Sequence, residues 1–300
     1  MADRGPGRFG MHRKARPYHI NSWTEGSMKI GFIGGGNMGE ALVRGLIHAG
    51  IVPADHVTVY DVLRDRTAHL TQTYGIRGAE RLGDCALSAD TVVVAVKPQN
   101  VAEVLEELGR SAPHRPLVIS IAAGVPIAVL EAALPEGTPV VRVMPNTPAL
   151  VLAGASALAR GRSADDTHME RALTIFRAVG VAHEVPEKLL DAVTGLTGSG
   201  PAYVLCFLEA LIDGGVLMGL PRSTAADLVI QTVLGTALMA QQTEKHPAAL
   251  KDMVTSPGGT TIHGLEVLES RGFRGAVMGA VRAATERSAA LGGGAAKKTA

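Results

Sequence analysis

The sequence predicts an α/β domain built on an open parallel sheet, followed by an all-helical domain. Short apolar runs recur before Glu187, at Lys29 to Ile33, Val57 to Tyr60, Thr91 to Val96, Leu117 to Ile121 and Val140 to Met144. Each is followed by Gly, Asp, Pro or Asn, as buried strands ending in turns require. Beyond Glu187 such runs vanish, and long stretches with few charges, Ala202 to Met218 and Arg222 to Gln242, read as helices.

The first run leads into glycines, after which Met38, Ala41, Leu42, Gly45, Leu46 and Ala49 recur at helical spacing. With the branched and aromatic run Val57 to Tyr60, the span from Lys29 to Asp61 matches a βαβ unit, which implies a parallel sheet. The C-terminal ends of such strands line the crevice where ligands bind, so Ala95 to Pro98, Ala122 to Gly124 and Pro145 to Thr147 are candidate site loops. In the helical half, Pro201 suits a first helical position, and Gly219 followed by Pro221 is a stop signal. A helix that is apolar all round needs cover from every side, which predicts subunit association.

The expected boundaries are residues 28–187 for the sheet domain and 188–300 for the helical one. Residues 1–27 contain no apolar run and read as a disordered extension or an upstream start, without the hydrophobic centre of a secretory signal. Residues 292–300 read as a frayed, partly basic tail.

Composition narrows the function classes. Hydrophobic residues make up 46% of the chain and the formal charge is +1. Neither a nucleic acid nor an anionic membrane is therefore expected as partner, and a small molecule is. Cys85 and Cys206 are the only cysteines, which excludes a disulfide framework or a thiolate metal cluster and suits a reducing, cytoplasmic compartment. The most apolar stretch, Ala202 to Leu220, contains Glu209 and Asp213 and reads as a buried soluble helix rather than a membrane span. No Ser-His-Asp set, metal-ligand spacing or Walker lysine is present, which disfavours hydrolysis, metal catalysis and phosphoryl transfer.

Gly34, Gly36 and Gly39 fit the fingerprint G-x-G-x-x-G between a strand and a helix. One glycine makes the tight turn, one admits a pyrophosphate to the backbone, and one lets helix and strand pack, while the helix N-terminus attracts the anion. The pattern predicts a Rossmann-like dinucleotide site. Asp61, which ends the second strand, is placed to accept hydrogen bonds from a ribose and leans towards NAD. Arg64 is either a solvated surface residue or a ligand for a 2′-phosphate, so NAD and NADP both stay open. Further on, Ser256-Pro257-Gly258-Gly259-Thr260-Thr261 precedes a helical pattern at Ile262, Leu265 and Leu268. Such a loop either binds an anion, a carboxylate being the best fit, or simply caps its helix.

At these residues the chain resembles the pyrroline-5-carboxylate reductase family. The matching runs include Ile30-Gly31-Phe32-Ile33-Gly34-Gly35-Gly36, Ala95-Val96-Lys97-Pro98, Ile119 to Val125, Val143 to Pro148, Asp191 to Gly195, Gly198 to Tyr203, Leu250-Lys251-Asp252 and Ser256 to Thr261. The resemblance runs in unbroken order from about Met28 to Leu291.

It implies a Rossmann-like domain and a helical dimerisation domain, with dimers sometimes gathered into larger rings. The implied reaction is NADH- or NADPH-dependent reduction of the cyclic imine Δ1-pyrroline-5-carboxylate to proline, without a metal. Cofactor residues carried over are Ile33, Gly34, Gly35, Gly36, Asn37, Met38, Asp61, Ala95, Val96, Lys97, Pro98, Ala122, Ala123, Gly124 and Asn146. Ser256, Gly258, Gly259 and Thr260 would hold the substrate carboxylate, and Glu244 the ammonium group of the product. The Thr261 hydroxyl would face the ring nitrogen, on a loop supplied by the other subunit. Lys97 and His263 are read as solvated or packed residues rather than acids.

The chain departs from many members in carrying Asp61 where they have a small hydroxyl residue. A related imine or β-hydroxyacid reductase, or a dinucleotide-binding regulator without turnover, are the competing readings. The hydroxyacid enzymes are expected to place a lysine soon after the run Gly198-Ser199-Gly200, where this chain has Pro201, Ala202 and Tyr203.

Overall fold

A computed structural model of the chain describes residues 28–296, so the expectations for residues 1–27 and the last four residues lie outside the described part. Eight strands form one sheet: β1 (Ile30–Ile33), β2 (Val57–Tyr60), β3 (Arg77–Gly78), β4 (Thr91–Val94), β5 (Leu117–Ser120), β6 (Val140–Met144), β7 (Gly154–Arg160) and β8 (Gly180–Glu184). Their spatial order is β3-β2-β1-β4-β5-β6-β7-β8, and every neighbouring pair is parallel except the antiparallel β6 and β7.

Helices α1 (Asn37–His48), α2 (Arg64–Tyr74), α3 (Leu82–Leu87), α4 (Val101–Ser111), α5 (Ile127–Ala132) and α6 (Asp166–Arg177) connect these strands and cover the sheet. The sheet separates two apolar clusters. One joins Phe32, Val59 and Ile119 to Leu42 and Leu46 of α1 and Phe176 of α6; the other joins Ile33, Val92 and Val118 to Leu105 and Leu108 of α4. All of these side chains are almost completely withdrawn from solvent.

All five strands expected from the sequence are present. β4 and β5 end before Ala95 and Ile121, so those residues belong to the strand-end loops. The order reverses between β1 and β4, the switch point at which open α/β sheets bind ligands. There the Ala95 N–H donates to Ile33 O at 2.8 Å, and the Gly34 N–H donates to Tyr60 O at 2.8 Å.

From Glu187 onward the described chain is helical. It holds α7 (Leu190–Val193), a wide turn at Thr194–Gly198, α8 (Gly200–Leu217), α9 (Arg222–Thr243), α10 (Pro247–Met253), α11 (Thr260–Ser270) and α12 (Phe273–Ala296). Pro201 lies in the first turn of α8, and Gly219, with φ +96°, and Pro221 separate α8 from α9 as expected. These helices pack sparsely within one subunit. No residue of α8 is buried, and Leu205, Leu217, Leu228 and Leu234 are each more than half exposed.

The spans Glu187–Leu217 and Arg222–Thr243 are long and apolar enough to cross a membrane. Asp213 in the first is paired with Arg222 of the second at 2.8 Å. Hardly any of either span is buried within one subunit, so the expectation of a buried helix at Ala202 to Leu220 is not met by this chain alone.

Candidate active site

The glycine turn follows β1 and opens α1. Gly34 has φ +106°, and a Cβ there would lie 2.5 Å from Ala95 O, so only glycine fits. At Gly39 a Cβ would fall inside contact distance of the Gly34 carbonyl, which explains a glycine where α1 crosses the strand end. Gly36 is different: a Cβ there meets nothing within 4 Å. No neighbour in the protein demands that glycine, and the open space lies at the N-terminus of α1, where unpaired N–H groups face outward. That arrangement fits the pyrophosphate of a dinucleotide.

Asn37 is exposed beside it, and Met38 is partly buried against the core. Ile33 is buried, as the end of the central strand. Asp61 ends β2 with its carboxylate turned to the same loop, accepting from the Gly35 N–H at 2.7 Å and the Leu63 N–H at 2.9 Å. Arg64 is exposed on the first turn of α2. Arg66, which the sequence reading passed over, donates to Gly35 O from Nε at 3.0 Å and Nη2 at 2.6 Å. Sequence spacing carried no signal for it, because which of Arg64 and Arg66 faces the glycine turn depends on the rotation of α2 about its axis, two positions differing by more than half a turn.

The remaining strand-end loops stand beside the glycine turn. Ala95 and Val96 are partly buried, and Lys97 and Pro98 are exposed at the start of a single 3-10 turn. Ala122 is buried, Ala123 is exposed, and Gly124 has φ +74°. Asn146 spends both ends of its amide: Oδ1 accepts from the Ala155 N–H at 2.8 Å, and Nδ2 donates to Thr197 O at 3.1 Å. It therefore ties the loop after β6 to the wide turn ahead of α8.

A cleft of about 530 Å³ runs between Pro98, Ala123 and Gly124 on the sheet side and Thr194, Ser199 and Arg287 on the helical side. The helical wall is anchored where Ser288 donates to Asp191 Oδ1 at 2.7 Å. Thr194 and Ser199 stand in the matching runs but, like Arg287, were not named as site residues from the sequence. The wide turn that carries Thr194 is a π-helical segment, a feature frequent at functional sites that has no sequence signature of its own.

The loop from Ser256 to Thr261 sits ahead of α11, as the sequence reading expected. Gly258 has φ +65°, the Gly259 N–H donates to Ser256 O at 3.1 Å, and Gly259 precedes the first helical residue, Thr260. Neither Ser256 nor Thr260 caps the helix through its side chain, since no side-chain hydrogen bond is made at that N-terminus. Glu244 ends α9 in the left-handed region at φ 54°. Within one subunit the main packing of α11 is on α12, and no principal contact joins α11 to the sheet. The strand-end residues are thus brought together in one chain, whereas Glu244 and the Ser256 to Thr261 loop stand apart from them. No cluster of His, Cys, Asp and Glu suited to a metal occurs among the described residues.

The chain is similar to known proteins over most of its length. Residues 187–291 match the family model described as pyrroline-5-carboxylate reductase dimerisation, and residues 29–124 match that described as NADP oxidoreductase coenzyme F420-dependent. The pyrroline-5-carboxylate reductase of Methanosarcina acetivorans is 50% identical over 266 residues, 89% of this chain and 98% of the relative. A solved pyrroline-5-carboxylate reductase from Coxiella burnetii superposes with a TM-score of 0.85 at 39% identity, covering 88% of this chain and 98% of that one. The Plasmodium falciparum pyrroline carboxylate reductase with NADP bound gives a TM-score of 0.78 at 36% identity, covering 89% and 98%. On sequence and fold together, the chain belongs to the pyrroline-5-carboxylate reductase family.

Proposed function

We propose that this chain reduces Δ1-pyrroline-5-carboxylate to L-proline, the last step of proline biosynthesis, using a reduced nicotinamide dinucleotide. The observation that carries this reading is an intact Ser256 to Thr261 loop, uncapped at the start of α11, in a chain whose likeness to the family extends over nearly its whole length. The division of labour follows residues 28–187, which bind the dinucleotide, and 188–300, which dimerise and hold the substrate.

The cofactor residues act chiefly by placing backbone. Gly36 and the first N–H groups of α1 receive the pyrophosphate, and Asp61 accepts from the ribose hydroxyls of the adenosine end, with its remaining lone pairs directed away from Gly35 and Leu63. A carboxylate at that position repels a 2′-phosphate, so NADH is the preferred donor, although the relative from Plasmodium falciparum was solved with NADP. Ile33, Gly34, Gly35, Asn37 and Met38 shape the turn. Ala95, Val96, Lys97, Pro98, Ala122, Ala123, Gly124 and Asn146 line the nicotinamide end.

When bound, the dinucleotide supplies the hydride that the imine carbon receives. The chain must orient the imine and answer the charge change at its nitrogen. Ser256, Gly258, Gly259 and Thr260 hold the carboxylate against the N-terminus of α11, where the helix dipole favours an anion. The Thr261 hydroxyl donates a hydrogen bond to the ring nitrogen, and Glu244 receives the ammonium group of the product. A threonine is too weak an acid to give up its own proton, so the protons that balance the hydride come from solvent, relayed through the Thr261 hydroxyl, and the rate gain comes from orientation and electrostatics.

Because α11 packs away from the sheet of its own chain, the loop serves the cleft of a second subunit. The active unit is then at least a homodimer, and a ring of dimers is its larger form. The compartment is cytoplasmic. Following nicotinamide absorbance with pyrroline-5-carboxylate and NADH, then NADPH, tests the reading: imine-dependent oxidation, faster with NADH, is expected. Oxidation with an open-chain hydroxyacid and its dinucleotide, but not with the cyclic imine, would transfer the chain to a hydroxyacid reductase role. Dinucleotide binding without turnover would make it a regulator.

A further inference from the structure

The phosphate-facing turn is held from behind by a polar cluster. Gly35 is held through both of its flanking peptides: its N–H donates to Asp61 Oδ2 at 2.7 Å, and its carbonyl, which shares a peptide with the Gly36 N–H, accepts from Arg66 Nε at 3.0 Å and Nη2 at 2.6 Å. The same Nη2 reaches Glu40 Oε2 on the first turn of α1 at 2.6 Å. The other oxygen of Glu40 accepts from the Tyr74 hydroxyl at 3.0 Å and stands 3.4 Å from His69 Nε2. Burial pushes the Glu40 carboxyl up, but hydrogen bonds from Arg66, Tyr74 and His69 outweigh it and hold the group below the ordinary carboxylate range. The pair is partly shielded, with 30% of the Arg66 side chain and 25% of the Glu40 side chain exposed. Gly35 packs closely on α2, where a Cβ would lie 2.8 Å from Leu70 Cδ1.

We propose that Arg66 is a positioning residue for dinucleotide binding: it clamps the Gly35 peptide and ties α2 to α1, so that the Gly36 and Asn37 N–H groups stand ready for the pyrophosphate. This rests on the dinucleotide-binding reading above and adds a specific consequence. A guanidinium committed to Gly35 O and Glu40 is not the ligand of a 2′-phosphate, so its loss weakens NADH and NADPH alike. A preformed turn binds its ligand without ordering a peptide at that moment, and one freed peptide corresponds to roughly tenfold in affinity. Lysine substitutes only in part, because a single ammonium lacks the planar fork that meets Gly35 O twice while reaching Glu40.

Titration of the full-length wild type, Arg66→Ala and Arg66→Lys with NADH and with NADPH, followed by nucleotide fluorescence without imine, is the test. Arg66→Ala is expected to weaken both dinucleotides about tenfold, with Arg66→Lys between it and the wild type. In turnover, KM for the dinucleotide should rise while kcat at saturation and KM for the imine stay within about twofold of wild type. Unchanged affinity, a fall in kcat without a fall in affinity, or weakening of NADPH alone would each overturn the clamp, the last by making Arg66 a phosphate ligand. If Arg66→Ala does not fold, Glu40→Gln takes its place, with weakening of both dinucleotides again expected. Since binding is read without imine, a failure of the wild type to reduce pyrroline-5-carboxylate would strike the proposed reaction and leave this test standing.

Discussion

A methyl group at Gly36 should separate cofactor binding from folding. The backbone there, φ −66° and ψ −178°, is open to any residue, and a Cβ meets nothing within 4 Å. Two small effects then oppose each other in the free protein. A less flexible unfolded chain stabilises by about 0.4–1 kcal/mol, and alanine as the residue preceding α1 costs about 0.5–1 kcal/mol relative to glycine. Their near cancellation leaves the melting temperature within about 2 °C of wild type. The dinucleotide needs the same space, however. A methyl at the closest approach of a phosphate carries an overpacking cost of about 1–3 kcal/mol, which is roughly 5- to 150-fold in affinity. Gly39→Ala is the contrast, because its Cβ collides with the Gly34 carbonyl and both stability and binding should fall. Thermal melts and NADH titrations of the two variants decide the matter. Wild-type affinity in Gly36→Ala would refute the placement of the pyrophosphate, and a melting point as low as that of Gly39→Ala would refute the claim that the space is empty.

Other perturbations probe the remaining parts of the account. Thr261→Ala should lower kcat by about 10- to 100-fold with little change in dinucleotide affinity, and Thr261→Ser should recover most of it; a kcat untouched by Thr261→Ala would move the donor elsewhere. Leu205→Glu places a charge on the uncovered face of α8. Light scattering should then report a monomer that binds NADH yet does not turn over, and an active monomer would disprove the two-subunit site. Glu40→Gln tests the clamp through pH. A carboxyl held below its ordinary value of 4.5 contributes stability that is present above that value and is lost as pH falls through the lower folded value. The melting-point gap between wild type and Glu40→Gln should therefore be widest near pH 7 and close as the solution is taken below about pH 4; a gap independent of pH would contradict the assignment.

Much of the dinucleotide site was legible because its glycines answer to local sterics. Gly34 must turn with positive φ, and Gly39 must let a helix pass a carbonyl, so both requirements lie within a few residues of sequence. The strands Val57–Tyr60 and Val140–Met144 were legible for a similar reason, since branched side chains suit a buried parallel sheet. Gly154–Arg160 was not. Its residues are mostly small, its place is set by antiparallel pairing with β6, and no local propensity marks it. The same holds for Gly180–Glu184, whose pairing with β7 lies beyond the intervening α6. The Arg66 clamp was invisible because Glu40 and Arg66 are brought together by the packing of α1 beside α2, which no motif records. Choosing between Arg64 and Arg66 required the rotation of α2, a property of the fold rather than of the spacing. Asn146 was expected as a site residue, but its use as a tie between Ala155 and Thr197 follows only from the geometry.

The most direct test of the central claim uses dinucleotide labelled with deuterium at the transferable position of nicotinamide C4. Wild-type enzyme, pyrroline-5-carboxylate and labelled NADH are incubated, and the product is analysed by mass spectrometry and NMR. The account predicts one L-proline per NADH oxidised, with a single deuterium on Cδ, the former imine carbon. NADH oxidation without labelled proline, or no imine-dependent oxidation with either NADH or NADPH, would contradict it.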